Sequence, residues 1–361
     1  MFAPTRYLDW ARRFYGQVRF DLATSGIPGV PATELGRPDP ARADDATAWP
    51  GLRDAVAAYN GVPAGEAIAA LGATHALWLA YASLTSPGDD VLVESPAYEP
   101  LVRIAEGVGA RVVHFERDAR DAFALDPERI ARAITPRTRV VAISNLHNPT
   151  GVRADADALR AAARVAGSRG AVLLVDEVYA PFDALVDGTG VFRWSARKLA
   201  PNVVAVSSLT KCYGLGPQRI GWLLGPPEVV TRAGYAVTAS CGVLPLGHAH
   251  LALHAFALLP QLAERARALL AGQRARVARW VETEGLEWSA PAEGLFALVT
   301  VPGAGDLTSA IEDAAREREV LVAPGAFFGA PAGFRLAWSA SAEHVDEGLT
   351  RLAEVIRTVR K

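Results

Sequence analysis

Short apolar runs alternate with helical periodicities through the middle of this chain. Val91 to Glu94, Arg111 to Phe115, Val140 to Ser144, Ala171 to Asp176 and Val203 to Ser208 read as strands apolar on both faces, the pattern of strands buried within a parallel sheet. Leu77, Ala80, Tyr81 and Leu84 recur at helical spacing, as do Ala158, Leu159, Ala162 and Val165, so each set predicts a helix with one buried face. The alternation predicts an α/β fold: a mainly parallel sheet between two helical layers. Ligands of such sheets collect beyond the carboxyl ends of the strands. Asn148, Asp176 and Lys211 each close a predicted strand or follow one by a few residues.

The pattern changes near Leu246. A long helical stretch runs through Arg265, Leu269, Arg276 and Trp280, followed by short strands near Phe296 to Val301, Val320 to Ala323 and Phe334 to Trp338. A last helix has the amphipathic face Val345, Leu349, Leu352, Ala353 and Ile356. The expected division is an N-terminal segment 1–40, extended where glycine and proline crowd it from Ser25 to Pro40, a large unit 41–245 and a smaller α+β unit 246–361.

With 361 residues, half of them hydrophobic, the chain can bury a large core. A formal net charge of −2 and the lack of a basic run speak against a nucleic-acid partner. No apolar run is long enough to span a bilayer, the first residues lack the apolar core of a signal peptide, and two cysteines make no disulfide framework, so a cytoplasmic setting is expected. The seven histidines form no metal-ligand pattern; His248, His250 and His254 read as structural.

Charge usage changes the picture at one point. Of 37 basic residues only Lys198, Lys211 and Lys361 are lysines. A lone lysine is ordinarily solvated surface, but Lys211 lies in Ser-Ser-Leu-Thr-Lys-Cys-Tyr-Gly, after an apolar strand and before a glycine-rich turn. A lysine amine can lose its proton and condense with a carbonyl, which a guanidinium cannot. Ser208, Thr210 and Arg219 surround it in sequence, and hydroxyls with an arginine fork suit a phosphate dianion. A phosphate-bearing carbonyl compound is implied, and pyridoxal 5′-phosphate is the common cofactor with both groups.

With His147-Asn148-Pro149-Thr150-Gly151, Asp176-Glu177-Val178-Tyr179 and Phe334-Arg335-Leu336 in the same order, the chain resembles the class I/II aminotransferases, the aspartate aminotransferase superfamily of pyridoxal phosphate enzymes of fold type I. The resemblance covers most of the length. It implies that Lys211 forms the Schiff base and then shuttles a proton, that Asp176 pairs with the pyridine nitrogen, and that Tyr179 and Asn148 donate to the phenolic oxygen. It further implies that Gly72, Ala73 and Thr74 open a phosphate-binding helix with Ser208, Thr210 and Arg219, and that Tyr98 stacks on the ring. Arg335, with Asn148 and Gly26 beside it, holds the substrate carboxylate. The implied reaction is ping-pong transfer of an amino group from an α-amino acid to a 2-oxo acid, in a homodimer with active sites at the interface and the N-terminal segment packed on the small domain.

The match departs at Asp44 to Arg53, where many members carry a tyrosine that reaches the neighbouring subunit's phosphate; here Trp49 and Thr47 are the available substitutes. Asp9-Trp10, Phe20-Asp21-Leu22 and Ser25-Gly26 are similar to a branch containing capreomycidine synthase. The same scaffold supports elimination, decarboxylation or cyclisation, because bond choice follows substrate pose. A non-enzymatic sensor is the third reading, and no DNA-binding module accompanies it.

Overall fold

A computed structural model of the chain describes residues 3–182 and 190–360. Lys361 lies outside the described residues. Strand β1 (Phe20–Asp21) comes early; seven further strands, β2 (Ala67–Leu71), β3 (Asp90–Ser95), β4 (Arg111–Glu116), β5 (Thr138–Ser144), β6 (Val172–Asp176), β7 (Val203–Ser208) and β8 (Ile220–Leu224), form one sheet in the order β2-β8-β7-β6-β5-β3-β4. The five strands β4, β3, β5, β6 and β7 are parallel, and β8 pairs antiparallel with both β7 and β2. This is the α/β architecture expected from the pattern. The parallel strands are aliphatic and buried on both faces except at the edge strand β4, since helices cover both sides. Helices Ala73–Leu84 and Ala156–Gly167 fall on opposite faces, in separate cores.

The register brings the strand ends together. Ser144 of β5 pairs with Asp176 of β6, and Asp176 with Val206 of β7, two residues before Ser208. Side chains that close neighbouring strands therefore share one edge of the sheet, where α/β proteins bind ligands.

A second sheet consists of β9 (Glu287–Trp288), β10 (Phe296–Thr300), β12 (Ala323–Pro324) and β13 (Gly333–Ala337), in the order β12-β13-β10-β9, while β11 (Val320–Leu321) pairs with β1. The single strand expected over Val320 to Ala323 is thus split between two sheets. Its core also takes in the N-terminal helix Arg6–Phe14, through Tyr7, Trp10 and Phe14, and Leu349, Leu352 and Ile356 of the last helix. The long helical stretch expected after Leu246 is three helices, Leu246–Ala257, Leu259–Leu270 and Gln273–Thr283, and Gly272 adopts a left-handed conformation between the last two. The first two pack in the core that holds Leu52, Val56 and Trp222. Between Ser25 and Pro40 the extended path is interrupted by a turn of helix, Ala32–Leu35.

Candidate active site

Lys211 stands in the connection between β7 and β8, beside a cavity of about 300 Å³ at the carboxyl edge of the large sheet. That cavity is small, concave and lined mostly by apolar surface with convergent polar groups, as ligand sites are. Its wall contains Ala73, Thr74, Tyr98, Asn148, Asp176, Tyr179, Ser208, Thr210, Lys211 and Arg219, which are ten of the residues singled out from sequence, together with Leu8, Leu77, Ser144 and Val178. Gly26, Gly72 and Arg335 do not line the cavity, but each touches a residue that does: Lys211, Arg219 and Asn148 respectively.

One end of the cavity suits an anion. Gly72 precedes the helix Ala73–Leu84, so the first amides of that helix carry its partial positive charge. Arg219, at φ 53, lays its guanidinium against Gly72, where a Cβ would come within 2.4 Å of its Nη2. Among the described residues Thr210 Oγ1 is buried without a hydrogen-bond partner, and Ser208 Oγ accepts only the long bond from Thr210 N at 3.3 Å. Buried hydroxyls of this kind ordinarily have partners. No carboxylate among the described residues pairs with Arg219. An unpartnered hydroxyl, an unneutralised guanidinium and a helix start fit a phosphate group.

The middle holds the proton-active groups. Burial pushes the Lys211 amine below its ordinary value; Arg335 and Arg219 act in the same direction, against Tyr7 and Asp176. Asp176, which ends β6 and accepts from Val178 N at 3.1 Å, is pushed up to about 7 by burial. A cationic ring nitrogen beside it would reverse that shift, because an opposite charge favours the ionised carboxylate. Tyr179 donates to Ser25 Oγ at 2.8 Å, and Lys211 Nζ donates to the same oxygen at 3.3 Å. Gly26 backs directly onto the lysine, where a Cβ would meet Lys211 Cδ at 3.2 Å, and Ile27 N donates to Lys211 O at 2.8 Å.

At the other end lies Arg335, on β13 and fully buried. Its Nη1 donates to Asn148 Oδ1 at 2.8 Å, and its Nη2 to Tyr7 Oη at 2.7 Å and to Ala23 O at 3.0 Å. Among the described residues its Nε has no partner and no carboxylate neutralises it. A buried, unpaired guanidinium is costly unless an anion joins it. Because the Asn148 oxygen is engaged, its amide NH2 is the end that can donate to a ligand. The loop carrying Asn148 is braced from below: Asn148 N donates to Ser144 Oγ at 2.9 Å, Ser144 Oγ donates to Glu94 at 2.8 Å, and Glu94 pairs with the buried Arg117 at 3.0 Å.

Ser25, Tyr7 and Ser144 went unremarked as site residues in the sequence. Ser144 was legible as a strand end, like Asp176; Ser25 stood next to Gly26 in a segment noted only for its likeness to one branch, and Tyr7 carries no local motif. Thr47 Oγ1 donates to Asp45 and Trp49 Nε1 to Leu244 O at 2.9 Å, so both residues available in place of the missing tyrosine are engaged within their own chain. His248 and His254 bond backbone oxygens of Arg219 and Leu35, and no cluster of metal-ligating side chains occurs among the described residues.

The family model described as aminotransferase class I and II matches residues 45–356, most of the chain. The chain belongs to the class I and II aminotransferases. It is 33% identical to the aspartate/prephenate aminotransferase of Thermus thermophilus over 323 residues, covering 85% of this chain and 81% of that one. Capreomycidine synthase of Streptomyces vinaceus is 30% identical over 370 residues, covering 97% and 93%. Among solved structures, the PLP-dependent cyclase OrfR superposes with a TM-score of 0.84 at 26% identity, covering 99% and 98%. The protein is a pyridoxal-phosphate-dependent aminotransferase of fold type I, acting on amino acids and oxo acids.

The close approach at Gly72 has a direct consequence. Gly72→Ala drives a methyl group into the Arg219 guanidinium from a residue at φ +82, a conformation costly for a side chain. The expected result is a rise of about tenfold or more in the dissociation constant for pyridoxal phosphate, equivalent to about 1.4 kcal/mol, measured by absorbance titration of the cofactor-free protein.

Proposed function

We propose that this cavity is the catalytic centre, with Lys211 and Asp176 as its chemical pair, and that it passes the amino group of an α-amino acid to a 2-oxo acid in two half-reactions. The observation that carries the reading is the convergence of a buried amine, a buried carboxylate and an unneutralised phosphate-type corner on one small cavity.

When bound, pyridoxal phosphate supplies a carbonyl for the amine and a ring that accepts electrons from the substrate Cα. Ser208, Thr210, Arg219 and the first amides after Gly72 would hold its phosphate. Asp176 would pair with the ring nitrogen and keep it protonated, and Tyr98 would supply an aromatic face for the ring. The Asn148 amide would donate to the phenolic oxygen, and so would Tyr179 once its single proton turns there from Ser25 Oγ. Lys211 would be the residue that holds the cofactor through its amine, and its lowered proton affinity would suit it to take up and return the proton of the substrate Cα. Ser25 steadies this amine, and Gly26 keeps its stem against the N-terminal segment. Arg335 grips the substrate carboxylate, which orients Cα relative to the ring.

A second reading is favoured by one finding, the 97% coverage by capreomycidine synthase: the same residues would then serve elimination and ring closure. Incubating the cofactor-loaded protein with single amino acids separates the two. Stoichiometric oxo acid with aminated cofactor supports transfer, whereas ammonia, carbon dioxide or a cyclic product with unchanged cofactor assigns a lyase or cyclase.

The working division into 1–40, 41–245 and 246–361 is retained, with helices Leu246–Ala257 and Leu259–Leu270 embedded in the core of the larger unit. We also infer a homodimer. The exposed Trp49 and Val243 border an apolar groove with Leu52, Ile68 and Val237, and Tyr235 is 70% exposed nearby in sequence; such surface suits a second copy. No helix among the described residues is long and apolar enough to cross a membrane, and a cytoplasmic setting is part of the proposal.

A further inference from the structure

The fully buried Arg335 has a neighbour that its part in carboxylate binding does not explain. Tyr7, from the N-terminal helix, places its hydroxyl 2.7 Å from Arg335 Nη2 and 2.8 Å from Tyr15 Oη, and Tyr15 Oη donates to Ala23 O at 3.2 Å. A guanidinium only donates, so Tyr7 accepts from Arg335. Because Tyr15 sends its proton to Ala23, Tyr7 is the donor of the phenol–phenol bond. The hydrogen bonds run one way, Arg335 to Tyr7 to Tyr15 to Ala23.

Packing fixes this hydroxyl in place. Glu99 accepts from Arg6 N at 3.1 Å and from Tyr7 N at 2.7 Å, tying the helix start to the helix Glu99–Gly107. The Tyr7 ring, 3% exposed, meets Tyr98 edge-on at 6.0 Å and Phe328 at 5.5 Å, and the Arg335 guanidinium lies 5.3 Å from its centroid. The phenol therefore stays on the guanidinium whether or not a carboxylate is present.

Resting on the reading of Arg335 as the carboxylate grip, we propose that Tyr7 sets whether that grip accepts a carboxylate. As a neutral phenol it turns its proton from Tyr15 to the arriving carboxylate and adds a hydrogen bond to those of Arg335. As a phenolate it neutralises Arg335 and repels the carboxylate.

The charged and titratable groups around Tyr7 are Arg335 from β13, Lys211 from the β7–β8 connection, Tyr15 after the helix, Tyr98 and Glu99 from the facing helix start, and Asp21 beyond Tyr15. Burial alone would raise the Tyr7 phenol. Arg335, then Lys211 while its amine is free, and the hydrogen bonds of Tyr15 and Arg335 together outweigh it and hold the phenol below its ordinary value, while burial raises Tyr15. Proton loss at Tyr7 thus removes carboxylate affinity as pH rises, in a window below the ordinary phenol range.

The test is equilibrium dialysis of labelled propionate with the cofactor-loaded protein from about pH 6 to about pH 10. The propionate carboxyl titrates well below this range. Wild-type affinity is expected to fall on the alkaline side by about tenfold per pH unit, the signature of one competing ionisation. Tyr7→Phe is expected to bind several-fold more weakly at neutral pH and to lose that limb. On proton loss at Tyr7, Tyr15 turns its own proton from Ala23 O to the Tyr7 oxygen, a bond that favours the phenolate; Tyr15→Phe removes it, so its limb is expected at higher pH. A Tyr7→Phe protein that keeps the wild-type limb overturns the proposal, as does a Tyr15→Phe protein whose limb does not move. Arg335→Gln separates the two levels: if it binds propionate as wild type does, the carboxylate grip itself is wrongly assigned.

Discussion

Lys211→Ala protein is expected to fold, to bind pyridoxal phosphate without a covalent bond, and to lose transamination. Borohydride treatment, which fixes the cofactor to a wild-type lysine, should leave no label on the variant and label the Lys211 peptide of the wild type. Loss of the proton carrier alone costs about 10²–10⁴-fold in rate, and loss of covalent capture adds to it. Stability should hold or rise, because burial disfavours the charged amine and truncation removes that cost. A variant that retains wild-type turnover, or a wild-type label on another peptide, would overturn the assignment of the site.

The second large effect is expected at Asp176. Replacing it by Asn keeps the shape and removes the charge proposed to face the ring nitrogen, and the loss of one such electrostatic partner costs about 10²–10³-fold. The variant also has a signature in the cofactor-free protein. Asp176 is raised from 3.8 to about 7 in the folded chain, so between these values the folded state holds a proton that the unfolded state has released. Folding stability therefore falls as pH rises from about 4 to about 7. Asp176→Asn should flatten this decline without abolishing it, because burial also pushes Glu177 up to about 7. Cofactor binding should oppose the decline in the wild type only, since a ring cation stabilises the ionised carboxylate. Melting temperatures with and without cofactor, measured across that pH window for both proteins, check the sign. A decline of equal size in Asp176→Asn would exclude Asp176 as its source.

Legibility of the site followed sequence distance. Lys211, Ser208, Thr210 and Arg219 fall within a dozen residues, and Asp176 and Tyr179 within four, so local spacing carried them. Four of the five parallel strands were legible because both of their faces are buried and aliphatic residues fill them, and the edge strand β4 because Val112, Val113 and Phe115 keep a strand-like run despite its exposure. The edge strand β2, Ala-Ile-Ala-Ala-Leu, was not: alanine has little strand preference, and its pairing with β8 supplies the order. The break inside Val320 to Ala323 was hidden for a related reason. An unbroken apolar run does not reveal that β11 pairs with β1 while β12 pairs with β13. Tyr7 and Ser25 reach their partners across 328 and 186 residues, and no local pattern encodes a contact of that kind.

The bond between Asn148 and Arg335 joins two events that chemistry treats as separate. One end of a planar amide is committed to the guanidinium, and in the proposed arrangement the other end is committed to the cofactor's oxygen. The group cannot rotate toward one partner without turning from the other. In that arrangement a carboxylate settling on the arginine would pull on the same lever that tunes the ring, so the chain would register an occupied far end of its site before any bond to the substrate had changed.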